Sequence, residues 1–227
     1  SGRVEEGLKL SGEISYADMT AHREGRFYIQ DESSMLVAHA LAPSAGAKVV
    51  DACAGPGGKT SHFAQLMRDS GEIRAFDIHR HKLALVESTC RRLGISCVKT
   101  EVLDARSLPG GLAGWADQVL VDAPCSGLGV IRRRPDLRWR RNADEVKELS
   151  VLQKDILSAA SSCVRPGGAL VYSTCTLEPE ENEDVVNWLT GRTGFYLEDL
   201  NPFLPGEGWT EEDRRVMKRG YLTLRPH

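Results

Sequence analysis

The residues best suited to chemistry in this chain are two cysteines that each close a β-rich apolar run. Cys125 follows Val119-Leu120-Val121-Asp122-Ala123-Pro124, and Cys175 follows Leu170-Val171-Tyr172-Ser173-Thr174. A thiolate at such a position is a soft nucleophile that can divide one difficult substitution into easier covalent steps. An unperturbed thiol is only about 3% ionised at neutral pH, so this role needs a nearby positive charge or donor, for which Lys59 is a candidate. Cys90, Cys97 and Cys163 lie inside helical or strand patterns and read as small buried hydrophobes. The six cysteines contain no Cys-x-x-Cys pair, which argues against a zinc ribbon or a thioredoxin-type site. They are expected to be reduced thiols of a cytoplasmic protein that needs no metal.

A second constellation is the turn Asp51-Ala52-Cys53-Ala54-Gly55-Pro56-Gly57-Gly58-Lys59-Thr60. Glycines here let backbone N–H groups approach a ligand at the start of a helix, where negative charge is favoured. A P-loop requires glycine five residues before Gly58, where Cys53 stands; a dinucleotide fingerprint requires glycine where Thr60 stands. Both mismatches count against a phosphate ligand. Asp77 ends the next β-rich run and is placed to accept ribose hydroxyls, with Asp104 and Asp122 ending the two runs after it. Cys53, Ala54, Gly55, Pro56, Gly57, Gly58, Lys59, Asp77, Asp104 and Asp122 together suit a nucleoside with a carboxylate tail, and S-adenosylmethionine is such a ligand. Helix capping is the competing account of Asp77 and Asp104.

The elements that must carry these residues alternate regularly. β-rich runs at Lys48–Asp51, Ile73–Asp77, Val98–Asp104, Gln118–Asp122 and Ala169–Thr174 alternate with helical patterns at Lys59–Arg68, His81–Leu93, Asp144–Val164 and Glu180–Thr190. A further helix is expected over Asp31–Leu41, stopped by Pro43. This is an α/β pattern: a mostly parallel sheet with helices on both faces, whose ligands gather at the carboxyl ends of the strands. Phe195–Asp199 and Tyr221–Leu224 are expected to form an antiparallel edge. The 227 residues suffice for one large domain, and no apolar run approaches the ~20 residues of a membrane span.

A formal charge of −3 is unlike that of a purely electrostatic nucleic-acid binder, yet the 21 Arg and 8 Lys are unevenly placed. Arg132–Arg141 holds six Arg and one Asp, whereas Glu178–Asp184 holds four Glu and one Asp. The basic run, with Trp139 inside it, can hold phosphates and stack a base through Arg132, Arg133, Arg134, Arg138 and Trp139; a solvated loop paired with nearby acids is the alternative. The acidic run reads as helix-start residues complementing the dipole.

Residues 51–60, Asp-Ala-Pro-Cys-Ser-Gly-Leu-Gly at 122–129 and Tyr-Ser-Thr-Cys-Thr-Leu-Glu-Pro-Glu-Glu-Asn at 172–182 resemble, in this order, three motifs of one family. They are the cofactor loop and the two cysteine motifs of the Sun family of RNA cytosine-C5 methyltransferases. The resemblance extends through Phe27–Ser34 and Arg132–Trp139. It implies a Rossmann-like class I S-adenosylmethionine-dependent methyltransferase fold, S-adenosylmethionine as cofactor, and RNA as substrate, with 16S (small-subunit) ribosomal RNA expected and transfer RNA as the alternative. It further implies that Cys175 is the nucleophile and that Cys125 releases the methylated product. The residues by themselves leave that choice open, because DNA cytosine-C5 methyltransferases use a Pro-Cys nucleophile, the pattern at Cys125. Members of the ribosomal branch carry an N-terminal RNA-binding helical domain. Residues 1–42 are therefore expected to be a lead-in segment and helix left from such a region, and 43–227 the methyltransferase domain.

Cytosine C5 is a poor nucleophile until a thiolate adds at C6. Asp122 is placed either to hold N3 and the exocyclic amine of the base or to contact the cofactor. The base must be single-stranded or flipped out of its stack. Two readings of other classes compete: a P-loop-like nucleotide hydrolase, weakened by Cys53, and a non-catalytic RNA-binding subunit, weakened by the intact cysteine pair.

Overall fold

Valine- and isoleucine-rich runs favour extended backbone, and burial on both faces of a sheet tolerates their near-continuous apolar character. In the computed structural model, which describes residues 3–9, 15–132, 142–204 and 206–224, five such runs form one sheet. They are β1 (Lys48–Asp51), β2 (Glu72–Asp77), β3 (Val98–Val102), β4 (Ala116–Asp122) and β5 (Val164–Ser173). The order is β3-β2-β1-β4-β5 and every pairing is parallel. Strand order reverses between β1 and β4, so the carboxyl ends of these two strands flank the crevice where such sheets bind ligands.

Among the described residues the α-helices are α1 (Thr20–Arg23), α2 (Glu32–Leu41), α3 (Gly58–Leu66), α4 (Arg80–Leu93), α5 (Ala143–Ser161), α6 (Glu183–Thr190) and α7 (Glu211–Lys218). Successive strand residues point to opposite faces, and the packing follows that period. Val49, Ile73 and Leu120 meet Ala38 and Leu41 of α2 and Phe63 and Ala64 of α3, while Ala75 meets Leu83 and Val86 of α4. On the other face Val50, Val119 and Val121 meet Ile156, Leu157 and Ala160 of α5 and Val185 and Leu189 of α6. Burying one such side chain completely contributes ~1.5–3 kcal/mol, so both faces are strongly driven. No helix among the described residues is long and apolar enough to cross a membrane.

Several elements depart from the sequence expectation. The helix expected to reach Val164 ends at Ser161, and Val164 instead opens β5 opposite Ala116; a register shift before the Gln118–Ala169 pair accommodates Arg165–Gly168. Asp104 lies beyond β3, and its carboxylate accepts from the Arg106 backbone to cap a turn at Ala105–Ser107. Phe195–Asp199 and Tyr221–Leu224 form no antiparallel edge and are irregular. The apolar residues around them go elsewhere: Leu200, Phe203, Leu204, Trp209, Met217, Leu222 and Leu224 pack with Val4 and Leu36, joining the two ends of the described chain.

Candidate active site

The Gly-rich turn leaves β1 and enters α3. Gly57 adopts φ 104°, a left-handed conformation that favours glycine, and Gly55 lies so close to α4 that a Cβ there would sit 2.5 Å from Cβ of Lys82 and 2.6 Å from Asp77 Oδ2. The Gly55 N–H donates to Asp77 Oδ2 at 3.1 Å and the His79 N–H donates to Asp77 Oδ1 at 2.8 Å, so this buried carboxylate braces the loop. Asp104 engages the Arg106 guanidinium, which holds its pKa below the usual range. Asp77 and Asp104, both expected beside the cofactor, thus also have local structural partners.

A cleft of about 150 Å³ opens over the turn, lined by Cys53, Ala54, Gly55, Pro56, Gly58, Lys59, Asp51, Asp122, Tyr28, Ile29, Gln30 and Ser34. A larger polar depression of about 360 Å³ lies at the amino ends of the strands, around Ser44–Ala47, Asp117 and Arg165, away from every candidate residue. In the cleft over the turn, Gln30 Nε2 and Asp51 Oδ1 are buried without partners, one a donor and one an acceptor. The amino and carboxylate ends of an amino-acid tail would satisfy both, so the donor set fits S-adenosylmethionine. Burial, with Asp122 nearby, pushes the Asp51 carboxyl up to about 7 despite the Thr60 hydroxyl that donates to it at 2.7 Å. Burial likewise pushes the Cys53 thiol up, consistent with a lining rather than a reactive role.

Asp122 links this cleft to the cysteines. Its Oδ2 accepts from Lys59 Nζ at 2.7 Å and its Oδ1 from Ser173 Oγ at 2.6 Å, two residues before Cys175. Cys125 and Cys175, 50 positions apart, lie with their sulfurs 3.2 Å from each other. Cys175 is exposed and Cys125 half-buried. Hydrogen bonding from Cys125 brings the Cys175 thiol down to about 7 against the upward push of burial and Asp122, with Lys59 assisting. The same bond and burial push the Cys125 thiol up. Cys90, Cys97 and Cys163 are buried, as expected.

The basic run lies at the margin of the described residues. Arg132 is exposed in the turn after Gly127–Val130, while Arg133, Arg134, Arg138 and Trp139 lie outside them. In the acidic run, Glu183 and Asp184 occupy the first turn of α6, as a helix-start role requires. Glu181 departs from that role: it is fully buried, and its carboxyl group accepts from the Ser126 N–H. The helix expected from Glu180 begins only at Glu183, after a short turn at Pro179–Glu181, and nothing in the acidic run signalled that Glu181 would be buried. Asp51, Tyr28, Gln30 and Ser34 were also missed as lining residues; Asp51 shares the strand-end placement of Asp77 and Asp122, and that pattern could have found it.

Among the described residues one group has metal-like spacing: Glu6, His39 and His62. Glu6 Oε1 bonds His39 Nε2 at 2.7 Å and His62 Nε2 at 2.8 Å. Ligation through Nε2 would leave a proton on His62 Nδ1, which is buried without a partner, so a hydrogen-bonded tether accounts better for the group.

Parallel strands reversing at β1, a glycine turn into α3 and acidic strand ends around one crevice define the Rossmann-like class I fold of S-adenosylmethionine-dependent methyltransferases. A family model for 16S rRNA methyltransferase RsmB/F matches residues 38–206, and the chain belongs to this family. It is 40% identical over 208 residues to a probable ribosomal RNA small subunit methyltransferase B of Bacillus subtilis, covering 90% of this chain and 45% of that protein. It is 41% identical over 202 residues to the tRNA (cytosine(72)-C(5))-methyltransferase of Pyrococcus horikoshii, covering 88% and 51%. A crystal structure of NSun6 from Pyrococcus horikoshii with SFG, an S-adenosylmethionine analogue, superposes with a TM-score of 0.73 at 38% identity, covering 82% of this chain and 49% of that one. The chain thus spans about half the length of the curated relatives it matches.

Proposed function

We propose that the chain transfers a methyl group from S-adenosylmethionine to C5 of a cytosine in RNA, with 16S (small-subunit) ribosomal RNA as the substrate, through a covalent cysteine adduct. The observation that carries this reading is the cysteine pair: two sulfurs 3.2 Å apart, the exposed one with its pKa lowered to about 7. Cys53, Ala54, Gly55, Pro56, Gly57, Gly58, Lys59 and Asp77 would hold the cofactor, with Asp104 beside them; when bound, it supplies an electrophilic methyl group on a sulfonium. Cys175 adds as thiolate to C6 of the base, forming an S–C6 bond and moving electron density onto C5, which becomes nucleophilic. Asp122, fixed between Lys59 and Ser173, orients the N3 and amine edge of the cytosine. Once C5 carries the methyl group, its C–H proton passes to solvent water, the C5–C6 double bond re-forms and the S–C6 bond breaks, so that Cys175 leaves as thiolate. Cys125 is in reach of this step, and its raised pKa suits a thiol that remains protonated until then.

The Arg132–Trp139 run would hold flanking phosphates of a splayed strand, and residues 1–42 would be the end of an RNA-binding region. The thiol chemistry requires a reducing compartment, which is the cytoplasm. Transfer RNA stays as a second substrate reading because of the Pyrococcus relative, which is a tRNA methyltransferase.

The test incubates the chain with methyl-labelled S-adenosylmethionine and unmodified small-subunit ribosomal RNA or transfer RNA, then looks for labelled 5-methylcytidine. Label in ribosomal RNA alone is expected; label in transfer RNA alone would overturn the substrate, and label on another base would overturn the reaction. Cys175→Ala is expected to abolish turnover, whereas Cys125→Ala lets a covalent RNA adduct accumulate; equal adduct from both variants would sink this division of roles. Charge reversal at Arg132 and Arg133 is expected to weaken RNA binding and flatten its salt dependence, and an unchanged slope would favour a solvated loop.

A further inference from the structure

Cys125 is pinned on both sides of its backbone by two buried residues that the chemistry above does not use. The Pro124 carbonyl before it accepts from Gln153 Nε2 at 2.9 Å, and the Ser126 N–H after it donates to Glu181 Oε2 at 2.9 Å. Gln153 Nε2 also donates to Glu181 Oε2 at 2.8 Å, closing the clamp. Both residues are 0% exposed. The clamp is continuous with the other cysteine loop: Ser126 Oγ and Thr176 Oγ1 are 2.8 Å apart, and Thr176 directly follows Cys175. The Tyr172 hydroxyl, three residues before Cys175, donates to the Glu181 carbonyl at 2.7 Å.

As a stabilising device this arrangement is poor. Glu181 Oε1 and Gln153 Oε1 are buried without partners, and no cation among the described residues pairs with Glu181. Well-packed apolar side chains of similar volume would generally stabilise such a site at least as well. What the polar pair supplies is direction, because hydrogen bonds fix where the Cys125 backbone stands relative to the Cys175 loop and apolar packing does not. We propose that Glu181 and Gln153 are positioning residues that set the approach of the Cys125 thiol to Cys175. By holding that donor in place they keep the Cys175 thiol reactive near neutral pH, and they hold Cys125 where product release needs it. The second consequence rests on the cysteine roles proposed above; the first does not.

The experiment therefore reads Cys175 without RNA or cofactor. Its alkylation by iodoacetamide is followed against pH by peptide mapping, in the wild-type chain and in Gln153→Met, which keeps the volume and deletes both bonds. Cys125→Ala marks the full effect of losing the donor. The wild-type midpoint is expected near 7. Gln153→Met is expected to move it toward Cys125→Ala and toward an ordinary thiol, slowing alkylation at pH 7 by up to about an order of magnitude. Glu181→Gln, which keeps an accepting oxygen, is expected to stay near wild type. If Gln153→Met does not fold, Thr176→Val, which removes the Ser126–Thr176 hydroxyl bond linking the clamp to the Cys175 loop, is expected to shift the midpoint in the same direction.

A merely structural role would lower the melting temperature and leave the midpoint where it was. An unshifted midpoint in a folded Gln153→Met chain overturns the proposal. RNA adduct formation by the same variants separates the two readings: a shifted midpoint with no adduct in any of them, Cys125→Ala included, supports the positioning and overturns the cysteine roles instead.

Discussion

At the scale of single residues, the proposed chemistry turns on which of two neighbouring thiols holds the charge. Cys175 is exposed, and its sulfur lies 3.2 Å from that of half-buried Cys125; with Cys125 as the donor the Cys175 thiolate is the stabilised one, and Cys125 gives up its proton last. The pH dependence follows with a definite sign. A thiol with a pKa near 7 gains its nucleophilic form as pH rises through that value, so single-turnover adduct formation is expected to fall about tenfold per unit below pH 6 and to level off above 8. A flat profile from 5 to 8 would mean that Cys175 ionisation does not limit the step. The two cysteines were legible in the sequence because each ends an apolar run. Their juxtaposition was not, since 50 positions separate them and only the pairing of β4 with β5 brings their strand ends together. Glu181 shows the opposite failure: in an acidic run every member looks solvated, and burial is decided by which side of the turn faces α5.

At the scale of elements, the β1-to-α3 turn works because glycine lets it approach its neighbours. A Cβ at Gly55 would collide with Asp77 Oδ2 and with the Lys82 stem, and both belong to packed elements. Gly55→Ala is expected to cost about 1–3 kcal/mol of stability and to weaken S-adenosylmethionine binding at least tenfold, read by thermal melts and calorimetry. Wild-type affinity would show that α4 can give way. The loop after α3 is held in a different manner. Asp69, at φ 52°, is pushed up by burial, but it accepts from the Ser96 hydroxyl and from the Ser96 and Cys97 N–H groups, and these bonds together bring its pKa down to about 2. A depressed carboxylate contributes stability above its unfolded value near 4 and loses it as pH falls toward 2, so this brace between the α3 loop and the start of β3 is expected to weaken only in strong acid. Amide exchange of Ser96 and Cys97 that quickens already at pH 6 would contradict it.

At the scale of the whole molecule, the N-terminal segment is tied to the rest of the chain at several points, the Arg3 N–H donating to Glu32 Oε1 and the Arg3 guanidinium lying over Trp209. Val4 joins Leu36, Leu204 and Met217 in one apolar cluster, and Glu6 bonds both His39 and His62. Leu204 is 2% exposed, and Leu204→Ala is expected to cost about 2–5 kcal/mol and to open residues 3–9 to protease; wild-type resistance would show that the cluster does not hold the segment. Burial holds the His62 pKa down, so the fold favours its neutral ring, and stability from this group is present above the ordinary histidine value near 6.5 and is lost as pH falls below it toward the lowered folded value. The sequence by itself determined the α/β class, the alternation of elements, the glycine turn and the rim of strand ends, because hydrophobic period, glycine placement and strand-ending polar residues are local properties of the chain. It misassigned Phe195–Asp199 and Tyr221–Leu224 as strands, since an apolar run does not state whether its partner is a sheet edge or a side-chain cluster. Only the tertiary structure decided that these segments flank the Val4 and Leu36 cluster. It alone also decided that Asp122 is shared between Lys59 and Ser173 and that the two sulfurs meet. Such contacts join residues far apart in the chain, and their distances are set by strand order and packing rather than by any neighbour in sequence.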